Sequence, residues 1–177
     1  MGGVVHLNRS FNKVKNNQML QNNKSTVLGL ILLSFYFLQF FLKVEWPWLQ
    51  ELQQDQMYKR WSGLGLALII VFQWVLTLTR VIKKFRKQAN NMALIHKWIG
   101  ALSPLVFFIH STGMGYGYLL LLSYAFFSNA LLGYLNLDVI KNNSDWFFKG
   151  WMITHVALSI TITIVMFFHI GMVFYYK

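Results

Sequence analysis

Four of the five histidines in this chain fall into two pairs of identical spacing. His96 and His110 bound the stretch HKWIGALSPLVFFIH, and His155 and His169 bound HVALSITITIVMFFH, with thirteen residues inside each pair. Neutral imidazole is the commonest protein ligand for transition metals. In a helix a step of fourteen residues falls about 40° short of four full turns and covers about 21 Å of axis. Both members of a pair therefore face the same way. They lie at opposite sides of a layer whose hydrocarbon core is about 30 Å thick. The expected chemistry is two helices clamping two stacked b-type haems, each iron held by two imidazoles. A six-coordinate iron of that kind suits one-electron transfer better than oxygen binding, which needs a free ligand position.

The rest of the chain has to bring those helices together in a membrane. Of its 177 residues, 56% are hydrophobic and 12% charged, with a mean hydropathy of +0.45. A soluble domain carries about 25% charged residues, so the composition indicates an all-α integral membrane protein. Cysteine is absent. That excludes disulfides, cysteine-ligated iron–sulfur clusters, thiolate haem ligation and covalent c-type haem from this chain. The net charge of +11 is expected to border membrane spans, with no nucleic-acid partner.

Residues 1–25 read as a polar cytoplasmic arm, in which His6 is a solvated residue without a role. The first apolar run begins too late and runs too long for a signal peptide. Residues 26–177 form one transmembrane domain, with spans expected at 26–44, 61–82, 92–113, 116–137 and 145–176. Residues 45–60 read as a connection anchored by interfacial tryptophans Trp46 and Trp48. Gly63 and Gly65 allow close packing at the start of the second span. Ser111 to Gly115 make a tight turn, and Ser144 is an N-cap for the fifth span. The haems are expected between the third and fifth spans.

Charge sets the orientation. With the N-terminus in the cytoplasm, twelve of the sixteen cations lie inside, six of them being Arg80, Lys83, Lys84, Arg86, Lys87 and Lys97. Lys43, Lys59, Arg60 and Lys177 lie outside. Positive residues concentrate on the cytoplasmic side, so the C-terminus is expected outside. The third and fifth spans then run parallel. His96 pairs with His155 as ligands of an inner haem iron, and His110 with His169 as ligands of an outer one. An antiparallel arrangement would swap the pairs. Gly100, Ser103 and Phe107 lie between the ligands on one helix, and Ser159, Ile162 and Met166 on the other. Gly100 leaves room for a macrocycle one turn from His96. Pro104 removes the helical donor of the Gly100 carbonyl. Lys97, beside a ligand, is a candidate for binding a haem propionate.

On these residues the chain resembles the membrane di-haem cytochromes b. It is most similar to the ferric-reductase-like transmembrane domain of ferric reductases, NADPH oxidases and the haem subunit of the methionine sulfoxide reductase system. The resemblance rests on LIHKWIGALSPLVFFIH with WMITHVALSITITIVMFFHI and covers about residues 60–177. It implies that His96, His110, His155 and His169 are axial ligands. Lys97 stands where many members of that group carry Arg.

The expected function is transmembrane electron transfer through two haem b groups, as the electron-carrying subunit of an oxidoreductase and not a self-contained enzyme. These residues include no flavin or NADPH module, so a redox partner protein or quinone, other membrane subunits and membrane lipid are the expected partners. The membrane is a bacterial inner membrane or an organellar one. Two alternatives remain open at this level. One is a structural or pigment-binding subunit of a respiratory or photosynthetic assembly. The other is a ferric or quinone reductase working at the outer haem.

Overall fold

A computed structural model describes residues 24–135 and 145–176. Among these residues the chain is all-helical, without strands. Seven α-helices follow one another: α1 (Lys24–Phe41), α2 (Pro47–Gln54), α3 (Gln56–Gln73), α4 (Val75–Val81), α5 (Ala89–His110), α6 (Tyr118–Tyr134) and α7 (Asp145–Tyr175), with a 3₁₀ turn over Lys83–Gln88 before α5. Four helical stretches are long and apolar enough to cross a membrane: Lys24–Phe41, Gln56–Val81, Lys83–His110 and Asp145–Tyr175. Helix α6 is apolar and has 17 residues. The polar arm up to residue 23, including His6, lies outside the described residues, as do the Ser144 cap and Lys177.

Several boundaries differ from those expected from sequence: the helix of the third span ends at His110 and not at 113, and α6 covers Tyr118–Tyr134 and not 116–137. Lys24 and the buried Ser25, expected in the polar arm, belong to the helix of the first span, which ends at Phe41 and not at 44. The second begins five residues early because Asp55 caps it, its carboxylate accepting the Tyr58 backbone N–H at 2.7 Å. The connection before it is mostly helix α2. Pro47 occupies the first turn, where its missing N–H has no helical acceptor to lose. Leu49 is buried, while Trp48 is exposed.

The buried positions of α1 (Ser25, Thr26, Gly29, Leu33, Tyr36, Gln39) fall at helical spacing, which puts them on one face. That face meets an aromatic core. Tyr36 lies 4.5 Å from Phe127 and 5.4 Å from Phe107, and Phe107 lies 4.7 Å from Phe127, all between ring centroids. Gly29 admits α6 closely, since a Cβ there would sit 2.6 Å from the Tyr134 ring. The exposed remainder is apolar. On α7 only Ile162 and Met166 are buried, whereas Ile153, Ile164, Phe167 and Phe168 face outward. An apolar surface of this extent requires lipid or other membrane helices around it.

Two glycines shape the return from α5 to α6. Gly115 and Gly117 have φ of 73° and 57°, a left-handed backbone that glycine adopts without steric cost. The Ser111 hydroxyl donates to the Gly113 carbonyl at 2.8 Å, and Ser123 on α6 donates to the Met114 carbonyl at 2.9 Å. α6 then runs back beside α5 and packs along α7.

Candidate functional site: two histidine-lined cavities

The helices enclose two cavities, one for each histidine pair. The first has a volume of about 250 Å³ and is lined by His96 of α5 and His155 of α7. The second, about 340 Å³, is lined by His110 of α5 and His169 of α7. Helices α5 and α7 therefore run parallel, with their first histidines together and their second histidines together. A single water occupies about 10–15 Å³ on this measure, so each cavity has room for a group far larger than an ion. Phe126 and Ile70 line both cavities and stand between them.

All six residues expected between the ligands line one cavity or the other. Gly100, Ser103, Ser159 and Ile162 border the first, and Phe107 and Met166 border the second. The carbonyl that Pro104 deprives of a donor is recovered twice. It accepts the Tyr134 hydroxyl at 2.9 Å and the Ser103 hydroxyl at 2.8 Å. Gly100 does face the first cavity, and a Cβ there would meet only the Gln73 amide nitrogen at 3.5 Å.

In the first cavity the His96 and His155 rings lie 6.2 Å apart between centroids, inclined at 75°. The Nδ1 atoms of both rings are buried and have no hydrogen-bond partner among the described residues. His155 stacks on Trp151, 5.7 Å away and inclined by 3°, while the Trp151 indole N–H donates to the Leu132 carbonyl at 2.8 Å. That bond ties the ring behind His155 to α6. Asn129 donates to Ser159 at 3.0 Å, and Ser159 donates to the His155 carbonyl at 2.8 Å. Gln73 reaches the His96 carbonyl at 3.4 Å.

The second cavity holds His110 in a socket made by α2 and α3. Ser62 Oγ is 3.1 Å from His110 Nδ1, and a Cβ on Gly63 would come within 2.9 Å of His110 Cε1. Gln53 clamps the helix end that carries His110. Its amide nitrogen donates to the carbonyls of Phe108 (2.9 Å) and Ile109 (3.1 Å), and its oxygen accepts from the backbone N–H (3.1 Å) and hydroxyl (3.0 Å) of Thr112. The Tyr58 hydroxyl adds a bond to the Ile109 carbonyl at 3.0 Å. Opposite, His169 Nδ1 is 3.4 Å from the Tyr118 hydroxyl.

Charge is distributed evenly. Arg80 and Lys97 line the first cavity, and Lys59 and Arg60 the second, with no carboxylate lining either. Arg60 also stands over the Phe174 ring at 5.6 Å. The remaining cations of the basic run, Lys83, Lys84, Arg86 and Lys87, are exposed. Among the described residues no group of three or more His, Cys, Asp or Glu could hold a metal ion. A protein-only zinc site needs three or four such ligands, and each histidine pair supplies two.

Sequence reasoning missed Ser62, Gln53, Tyr118, Asn129, Gln73 and Trp151 as neighbours of the histidines. Trp151 alone had a local signal, four residues before His155 on the same helical face. The chain matches no known family model, no curated protein and no solved structure.

Proposed function

We propose that this chain carries electrons across a membrane through two bis-histidine b-type haems. The observation that carries the reading is the facing of His96 and His155 at 6.2 Å. A metal held at about 2.0–2.1 Å by each of two imidazole nitrogens sets the ring centroids about 6 Å apart. His96 and His155 would hold the inner haem, and His110 and His169 the outer one. The residues fit the group in three further respects. Each cavity exceeds the needs of an ion, Gly63 leaves space against the His110 ring, and each cavity presents two cations to a group bearing two propionates. Bound haem supplies reversible one-electron chemistry at each level.

The chain's own part is to hold and separate. Gln53 and Tyr58 fix the end of α5, Trp151 backs His155, and Phe126 with Ile70 partitions the two levels. Arg80 with Lys97, and Lys59 with Arg60, offset the propionate charge. Because α5 and α7 are parallel, α6 has to return between them. Its 17 residues reach about 25 Å, close to the hydrocarbon thickness, so five spans with the N-terminus inside is the topology we adopt. The donor and acceptor are separate molecules: a redox partner protein or quinone, with other membrane subunits. Paired imidazoles favour this reading over a pigment, whose magnesium takes one axial ligand.

The test is electron transfer across a sealed bilayer. The full chain, loaded with haem, is placed in vesicles with trapped ferricyanide and external dithionite. Loss of ferricyanide absorbance should track the chain and fall at least about 10-fold in His96→Ala and in His110→Ala. Equal rates in chain-free vesicles would overturn the reading.

A further inference from the structure

Hydrogen bonding behind the four histidines is unequal. The Ser62 hydroxyl has one proton, and its shortest contact is within its own helix: Oγ lies 2.7 Å from the Tyr58 carbonyl and 3.4 Å from that of Lys59. A proton given to the Tyr58 carbonyl leaves Ser62 a lone pair to offer His110 Nδ1, 3.1 Å away. In that arrangement His110 donates Nδ1–H, which leaves Nε2 unprotonated and able to bind a metal. Gln53 pins the helix end that carries the ring, and Gly63 leaves the ring the space in which to make that bond. In the inner pair neither Nδ1 has an acceptor among the described residues. At His169 the Tyr118 contact is long, 3.4 Å, and a phenol can serve as donor or acceptor.

A ligating histidine that donates its second N–H becomes a more basic ligand. A more basic axial ligand stabilises oxidised iron and lowers its reduction potential. Each cavity is lined by two cations. Resting on the di-haem reading, we propose that Ser62 is a positioning residue for the outer centre: by accepting the His110 Nδ1 proton it presents Nε2 to the iron and gives the outer haem the lower potential. Electrons then run downhill from the outer centre to the inner one.

The experiment is a potentiometric titration of the haem-loaded full chain in membranes, followed by optical and low-temperature electron paramagnetic resonance spectra. The wild type is compared with Ser62→Ala and Ser62→Thr, and His96→Ala identifies the outer signal. The lower wild-type potential should belong to the outer haem. Ser62→Ala should move that potential upward and shift only the outer low-spin signal, while Ser62→Thr restores both. Loss of the outer haem alone in Ser62→Ala, with rescue by Thr, also supports the positioning role, and the wild-type titration then decides the order of potentials. Two haems with unchanged potentials in Ser62→Ala, or a lower potential at the inner pair, would overturn the proposal. A folded chain that takes up no haem defeats the di-haem reading instead. In that case ¹⁵N-histidine spectra decide the hydrogen bond by itself, which fails if His110 carries its proton on Nε2.

Discussion

At the residue scale, the two cavities differ in how closely glycine approaches a histidine. A Cβ on Gly63 would lie 2.9 Å from His110 Cε1, whereas one on Gly133 would lie 3.6 Å from His155 Cε1. The first distance forces the ring to move and the second is an ordinary contact. Overpacking of this kind costs about 1–3 kcal/mol, and about 1.4 kcal/mol is a tenfold change in affinity. Gly63→Ala should therefore weaken outer haem retention about 10-fold, and Gly133→Ala should leave both haems in place. Haem titration of the two variants checks the contrast. Equal behaviour would mean that His110 does not depend on its socket. The histidines themselves were legible because both members of a pair sit on one helix, where sequence spacing is spatial spacing. Ser62 and Gln53 were not legible. They lie 48 and 59 residues from His110 and Thr112, and a serine or glutamine has no periodic signature.

At the element scale, α5 is a proline-containing helix stabilised from outside. Pro104 leaves the Gly100 carbonyl to the Tyr134 and Ser103 hydroxyls. Tyr134→Phe keeps the ring against Gly29 and removes one donor. It should destabilise the folded chain by about 1 kcal/mol, the scale of a hydrogen bond between membrane helices, read from thermal unfolding in detergent. An unchanged midpoint would mean that Ser103 alone satisfies the carbonyl. The other end of α5 depends on α2. Gln53→Ala removes four hydrogen bonds at once, and it should broaden or abolish the outer haem signal while the inner one stays. The proline's effect could be inferred from sequence because the missing donor is fixed by chemistry. Pro47 followed by Leu49 and Leu52 is a helix-start signal for α2, but in the sequence the tryptophans beside it point to an interfacial connection. Asp55, in the same connection, caps α3 through its carboxylate.

At the scale of the whole molecule, the proposed topology has α6 crossing the membrane between the parallel α5 and α7. Tyr116 and Trp146 flank α6 and are 92% and 84% exposed. The chain contains no cysteine, so single substitutions report cleanly. In right-side-out membrane vesicles, Tyr116→Cys should react with an impermeant maleimide and Trp146→Cys should not until the membrane is opened. Labelling of both from one side would remove α6 as a span and overturn the five-helix topology. The central claim, two haems each held by a histidine pair, is tested most directly by a dithionite-reduced minus oxidised spectrum of the purified full chain with pyridine haemochromogen quantification. The account predicts b-type bands and two haems per chain, one remaining in His155→Ala and one in His169→Ala. A folded chain that binds no haem, or that keeps both when either histidine is removed, would contradict it.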